Sequence, residues 1–308
     1  MIRVFVDGSA GTTGLRIRER LTGRRDIELV SLPEELRKDA GARRDAISRS
    51  DVVFLCLPDD AAREAVGLAD SPDTVIIDTS TAHRTSDGWE YGFPELSGRR
   101  ERIASSKRIA NPGCHATGFI ALVEPLVRTG IVGRDARLSA YSLTGYSGGG
   151  KKMIAEYGDP ANAERLRAPR MYGLGQSHKH LPEMKKICML ENAPAFCPVV
   201  SSYYSGMQVT VALPGDGSAG PEDIRQAYLD YYGGDNGVIR IAGSAGEDGF
   251  LSASGLSGRD ILEISVWGNP DNLILCARFD NLGKGASGAA IQNMNIITGT
   301  DELESLVI

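Results

Sequence analysis

A glycine-rich heptad near the front of the chain, Gly8-Ser9-Ala10-Gly11-Thr12-Thr13-Gly14, restricts the fold more than any other feature. It follows the apolar run 2–6 directly and leads into a stretch with helical spacing at 15–21. Glycines at such a junction let the backbone turn tightly and let a pyrophosphate approach the amides of a helix N-terminus. The spacing is GxxGxxG rather than the commoner GxGxxG, but a strand before and a helix after strengthen the signal. The competing reading is a plain strand-to-helix turn. Dinucleotide binding by an α/β fold is the expectation.

The next hundred residues repeat the theme. Runs 27–32, 52–57 and 74–78 read as further strands, and 61–69 reads as a helix. Continuous apolar strands separated by helices signify a parallel sheet covered on both faces. A chain of 308 residues has room for a second domain. Past Gly113 the texture changes. A helix is expected over 116–127, a strand over 138–144, then a glycine-rich turn, with β-like runs at 199–213, 261–266 and 273–279. Residues 210–212 are expected beside 264–266 in a mixed or antiparallel sheet. The tail 286–297 reads as helix, opened by the loop Asp280-Asn281-Leu282-Gly283-Lys284-Gly285. The fold class is therefore α/β: a Rossmann-type dinucleotide-binding domain plus an α/β catalytic and oligomerisation domain with a mixed sheet.

Charge and cysteine usage narrow the function. A net charge of -6 leaves no basic surplus for neutralising nucleic-acid phosphates. The apolar runs are too short to cross a bilayer, and Arg3 and Asp7 interrupt the start where a signal peptide would need an apolar core. Five cysteines, an odd number without a CxxC pair, suit reduced thiols in the cytoplasm.

The second expected strand ends at Ser31-Leu32-Pro33 without the acidic residue that binds NAD ribose hydroxyls. Ser31 with Arg37 and Lys38 suits a 2′-phosphate, which favours NADP(H). Glu34 and Glu35 count against this, and both cations read equally well as solvated surface charges, so NAD stays open.

Asn111-Pro112-Gly113-Cys114-His115-Ala116-Thr117-Gly118 carries the chemistry. Proline and glycine force a turn and an apolar helix follows, so Cys114 falls at a helix N-terminus, a setting that favours the thiolate. The same amides can stabilise an oxyanion. Cys56 and Cys276 lie inside apolar runs and, with Cys188 and Cys197, read as structural. A nucleophilic thiol needs an imidazole nearby, and His178-Lys179-His180-Leu181-Pro182-Glu183 holds two of the four histidines. His180 is the expected acid/base, with His178 the close alternative, and Glu183 is placed to orient the ring. His-x-His also recurs at zinc sites, but no cluster at ligand spacing supports a metal. His83 and His115 also suit ordinary hydrogen bonding.

Two further segments suit anionic groups. Ser147-Gly148-Gly149-Gly150-Lys151-Lys152 is a glycine turn followed by cations, with amides available to phosphate or carboxylate. Thr79-Ser80-Thr81-Ala82-His83-Arg84 follows the fourth strand's carboxyl end, where ligands of parallel sheets bind. Ser80 is grouped with the cofactor contacts. Arg84 is a candidate fork for phosphate or carboxylate, and Asn111, Ser147, Gly148 and Lys151 join it as candidate substrate contacts. Each segment also reads as a solvated surface loop.

Segments 8–14, 78–84, 111–118, 145–152, 178–183 and 281–295 together resemble the N-acetyl-gamma-glutamyl-phosphate reductases of arginine biosynthesis, in their shorter form. The resemblance covers nearly the whole chain. It implies an aspartate-semialdehyde-dehydrogenase-like fold with an NADP-binding Rossmann domain at 1–113 and 284–308. A catalytic and oligomerisation domain would occupy 114–283. It further implies NADP(H), an acyl-phosphate substrate and a homo-oligomer, dimer or tetramer. Cys114 and His180 would correspond to the nucleophile and the acid/base, with Asn281 and Gly285 near the nicotinamide. His115 departs from the apolar or aromatic residue expected after the cysteine. An aspartyl- or aminoadipyl-phosphate reductase shares the chemistry. A non-catalytic nucleotide sensor and a metal-dependent hydrolase are the rivals from other classes.

Overall fold

Short apolar runs bounded by glycine, proline and acidic residues build the first sheet. In the computed structural model, which describes every residue except 216, 218, 234–236 and 244–247, the chain divides into two units. The first takes residues 1–94, 98–113 and 286–306, and the second takes 95–97, 114–285 and 307–308.

The first unit runs β1 (Ile2–Asp7), α1 (Thr12–Leu21), β2 (Ile27–Val30), α2 (Ala40–Ser48), β3 (Val52–Leu55), α3 (Asp59–Gly67) and β4 (Val75–Asp78). It continues through β5 (Glu90–Tyr91), α4 (Arg99–Ser105) and β6 (Arg108–Ala110). The six strands are parallel, in the order β2-β1-β3-β4-β6-β5. Alternate residues serve opposite faces, as the period of a strand demands. Val4, Val6, Val52, Phe54 and Ile77 pack with Ile17, Leu21 and Ile103. Phe5, Val53, Leu55 and Ile76 pack with Ala46, Ile47, Ala62 and Ala65. The helix α2 was not anticipated, because its apolar face is narrow and its middle carries Arg43. That arginine is buried and paired with Asp7 at 3.0 Å.

The second unit comprises α5 (Cys114–Arg128), β7 (Ser139–Gly145), α6 (Gly150–Gly158), α7 (Ala163–Leu166), β8 (Arg170–Met171), α8 (Leu181–Ile187) and β9 (Ala195–Ser201). After these come β10 (Met207–Pro214), α9 (Pro221–Tyr232), β11 (Ile239–Ile241), β12 (Leu262–Asn269) and β13 (Asn272–Phe279). A π-helical turn, Gly283–Ser287, leads into α10 (Gly288–Thr298). That helix returns to the first unit and buries Ala290, Ile291 and Met294 against its sheet.

The second sheet has seven strands in the order β11-β12-β13-β10-β7-β9-β8, and it is mixed. Two expectations need correction. The run 199–213 is two strands, separated by the bends at 202–205 and by Gly206, which holds a φ of +112°. Nor do residues 210–212 adjoin 264–266: β12 and β13 close a hairpin, and β13 then gives its other edge to β10. A tight turn lets strands adjacent in sequence pair first, which places β13 between the two.

Helix α5 lies on this sheet and is buried at every position from His115 to Val127. Pro125 lacks the amide that would bond the carbonyl of Ala121. The hydroxyl of Tyr232 supplies that bond at 2.8 Å, and the Tyr228 hydroxyl reaches the next carbonyl, Leu122, at 2.6 Å. Each such bond to a buried carbonyl contributes about 1 kcal/mol. Among the described residues, no helix is long and apolar enough to cross a membrane.

Candidate active site

In the first unit the chain extends from β1 to β2 on one side and then crosses to β3 on the other. Ligands of doubly wound sheets bind at the carboxyl ends of such a switch point. A cavity of about 580 Å³ opens there, lined by Gly8, Ser9, Ala10, Leu57, Ser31, Glu34, Glu35, Arg37 and Lys38, among others. Gly8 holds φ +86°, and a Cβ on it would stand 2.3 Å from the carbonyl oxygen of Cys56. Gly14 is equally confined, since its Cβ would lie 2.5 Å from the Gly8 carbonyl oxygen. The loop therefore closes against β3 only as glycine, and it delivers the amides of the α1 N-terminus. Gly11, Thr12, Thr13 and Gly14 carry the chain into α1 and do not line the cavity.

The cavity thus gathers Ser31, Arg37 and Lys38 with the glycine loop. It adds Arg18, one turn beyond Gly14 on α1, which the sequence reading missed. A cation four residues past a phosphate-binding glycine loop was the available signal. At the floor, burial pushes the Asp7 carboxyl up, against the pull of Arg43.

Cys114 is the first residue of α5 and partly exposed. His115, next in the helix, is buried beneath it. Its Nδ1 lies 2.7 Å from the Ser142 hydroxyl on β7, and its Nε2 lies 2.6 Å from the Tyr172 hydroxyl. The His178 and His180 rings each lie 5.5 Å from that of His115 and 4.7 Å from each other. Phe196 on β9 closes the apolar side, 5.1 Å from His178. The backbone amide of His180 donates to Nδ1 of His178 at 3.2 Å, which leaves the neutral ring's proton on Nε2. His178 is half-buried, whereas His180 and Glu183, at the start of α8, are buried. Burial, with the neighbouring charge of His178, pulls the His115 pKa down to about 3. The Tyr172 phenol is pushed up by burial and then by the charge of Cys114. Thiol, imidazoles and phenol are thus brought together. Among the described residues, no three His, Cys, Asp or Glu side chains are arranged to hold a metal ion. Tyr172 and Ser142 were missed, because strand register and a loop return bring them in and no local pattern marks them.

The expected anion contacts need correction. Arg84 is buried and turns inward, donating from Nε to the Asn111 carbonyl at 2.9 Å and from an Nη to the Thr79 carbonyl at 3.0 Å. It braces the ends of β4 and β6 and does not present a fork. Asn111 is also internal, donating to the carbonyl of Ala286 at 3.0 Å. Ser80 bonds Asp78 through its hydroxyl at 2.8 Å, and His83 holds the same carboxylate at 2.6 Å while stacked on Trp89. At the head of the glycine turn the Ser147 amide is used internally, donating to the carbonyl of Tyr204, as those of Gly145 and Tyr146 before it donate to Gly206 and Tyr203. Gly148 and Lys151 are exposed beyond it.

Asn281 holds this turn from the other side. Its Nδ2 donates to the Ser147 hydroxyl at 3.0 Å, and its Oδ1 accepts from the Gly206 amide at 2.9 Å. Gly285 abuts the nucleophile, since a Cβ there would lie 3.0 Å from the Cβ of Cys114. Between them, the Lys284 ammonium donates to both carboxylate oxygens of Glu95 at 2.8 Å, with both side chains almost wholly buried.

Two families match the chain: the semialdehyde dehydrogenase NAD binding domain over residues 9–106, and the semialdehyde dehydrogenase dimerisation domain over residues 114–281. An N-acetyl-gamma-glutamyl-phosphate reductase 2 of Nostoc sp. is 45% identical, the match covering 97% of this chain and 98% of that protein. An N-acetyl-gamma-glutamyl-phosphate reductase of Sinorhizobium medicae is 44% identical over 96% of this chain and 98% of its own length. Among solved structures, aspartate semialdehyde dehydrogenase II of Vibrio cholerae superposes with a TM-score of 0.72 at 17% identity, covering 97% of this chain and 98% of that one. That similarity extends to the fold.

Proposed function

We propose that this chain, which belongs to the N-acetyl-gamma-glutamyl-phosphate reductase family, reduces N-acetyl-L-glutamyl 5-phosphate to N-acetyl-L-glutamate 5-semialdehyde and phosphate in arginine biosynthesis. The observation that carries the reading is the partly exposed thiol of Cys114 at the head of a buried apolar helix, with the His178–His180 pair beside it.

The Cys114 thiolate attacks the acyl carbonyl, and the α5 amides stabilise the oxyanion. The C–O bond to phosphate breaks, phosphate leaves with its electron pair, and a thioester remains on Cys114. NADPH, when bound, supplies the hydride that reduces the thioester. The acid/base then gives a proton to the reduced oxygen and takes it back as the C–S bond breaks, releasing aldehyde and thiolate. Sequence reasoning preferred His180 for this duty. The half-exposed ring of His178, its tautomer set by the His180 amide, has the stronger claim. The cavity at the glycine loop would hold the dinucleotide, and Ser31, Arg18, Arg37 and Lys38 in its lining are the residues that would meet a 2′-phosphate.

The dimerisation-domain match over residues 114–281 and the second sheet both support a homo-oligomer. One face carries α5 and α9. The other leaves Tyr141 on β7 55% and Ile274 on β13 41% exposed, with β10 between them, a surface suited to a second copy of the chain. Five free thiols and a phosphorylated substrate suit the cytoplasm.

The test is the reverse reaction. Phosphate-dependent reduction of NADP+ with N-acetylglutamate semialdehyde, absent with aspartate semialdehyde and lost in Cys114→Ser, is the expected result. Activity with aspartate semialdehyde alone would overturn the substrate. Unimpaired turnover in Cys114→Ser would overturn the covalent mechanism.

A further inference from the structure

His115 is a polar residue at a site where packing alone asks for an aromatic one. It is 3% exposed, lies under the nucleophile and contacts the ring of Phe196 at 5.3 Å. Burial holds its imidazole neutral, so one ring nitrogen carries a proton and the other a lone pair. Both nitrogens meet hydroxyls, Ser142 on one side and Tyr172 on the other. Such a chain has a direction. If Ser142 donates to Nδ1, then Nε2 donates to the Tyr172 oxygen, and the phenol's own hydrogen is left to point elsewhere. If the tautomer is reversed, the Tyr172 hydrogen is spent on Nε2 and only its lone pairs remain. The charge of Cys114 is felt at that phenol, so the choice is made beside the thiol.

We infer that His115 is a positioning residue for the chemistry at Cys114: clamped between Ser142 and Tyr172, it fixes where the Tyr172 hydroxyl lies and which way its proton points. The inference rests on the cysteine-thioester reading of the same site. His115 itself touches no reacting atom. It acts through Tyr172, the hydroxyl held by its Nε2, as the group that steadies the charge developing on the thioester oxygen as hydride arrives. Ser142, fully buried at the inner end, anchors the ring from that side.

The experiment compares the wild type with His115→Phe, Tyr172→Phe and the double variant, in turnover and in the rate at which iodoacetamide alkylates Cys114. A phenylalanine fills the space of either ring and removes only the bonds. Each single change is expected to lower kcat roughly ten-fold, the worth of one hydrogen bond of about 1.4 kcal/mol, with KM for the acyl substrate unchanged. The double variant should be no slower than either single one, because the second change removes a bond already lost. A His115→Phe enzyme with wild-type kcat overturns the inference, as does a double variant whose loss is the product of the two. Should His115→Phe fail to fold, His115→Gln replaces it. Its amide spans one of the two bonds, and a KM effect without a kcat effect there counts equally against the inference. If the wild type turns over no acyl phosphate, the underlying reading has failed. The alkylation rates then decide the clamp alone: equal, non-additive changes sustain it and an unchanged rate refutes it.

Discussion

Replacing Glu95 by glutamine should destabilise the second unit by about 3–5 kcal/mol, the range for removing one partner of a buried ion pair. The magnitude follows from burial. The side chains of Lys284 and Glu95 are 2% and 0% exposed, and the ammonium spends two of its three hydrogens on the two carboxylate oxygens. With glutamine in place, one acceptor survives but the neutralising charge is gone, and Lys284 has no route to water. Urea unfolding followed by tryptophan fluorescence measures this, since Trp267 of β12 reports on the second unit. At roughly 2–4 °C per kcal/mol for a unit of this size, the thermal transition should fall by about 10 °C. The double change Glu95→Leu with Lys284→Met should recover most of the loss, because an apolar pair of similar volume carries no desolvation cost. A Glu95→Gln protein within about 1 kcal/mol of wild type would refute the reasoning. So would a double variant no more stable than the single one.

Two further predictions concern the two candidate sites. In Gly8→Ala the new Cβ meets the Cys56 carbonyl oxygen at 2.3 Å on a backbone held at φ +86°. The left-handed conformation alone costs about 1–2 kcal/mol, so NADPH should bind at least ten-fold more weakly in a fluorescence titration, and an unchanged Kd would count against the glycine loop as the dinucleotide cradle. The second prediction is a pH dependence set by His115, which titrates near 6.5 when unfolded and at about 3 when folded. A depressed folded value means that the unfolded chain gains a proton first as pH falls. The stability due to the neutral ring is therefore complete above pH 6.5 and lost progressively down to about pH 3. Between pH 7 and 5 this amounts to about 2 kcal/mol, which His115→Phe should not lose. Parallel stability curves for the two proteins over that window would refute it.

The legible parts of the fold were those written locally. β3 and β4 are buried along their whole length, so each had to be an uninterrupted apolar run, and the sheet could be read from them. The helix α2 escaped because Arg43 looks like a surface charge until Asp7 is seen to receive it. Strand order in the second sheet was out of reach, because β7 pairs in parallel with β9, some fifty residues later, and nothing near either strand names its partner. The same division holds at the site. Cys114 and the His178–His180 pair announce themselves through adjacent prolines and glycines that set helix starts. Tyr172 and Ser142 join only through tertiary register. Arg84 and Asn111 show the converse. Their types suit a ligand, but the ends of β4 and β6 and the carbonyl of Ala286 had claimed them first.

The return of α10 to the first sheet sets an order of events on the ribosome. Ala290, Ile291 and Met294 complete a core whose other members, from Val4 to Ile109, emerge long before them. The first sheet must therefore wait with one apolar face only partly covered, by α1 and α4, while most of the second unit is synthesised. That unit, contiguous for most of its length, can fold in the meantime. A release of the nascent chain before α10 emerges leaves a folded second unit tethered to a sticky, half-covered sheet. Ribosome stalling within the codons of α10 should accordingly yield aggregates seeded by the first unit, not by the second.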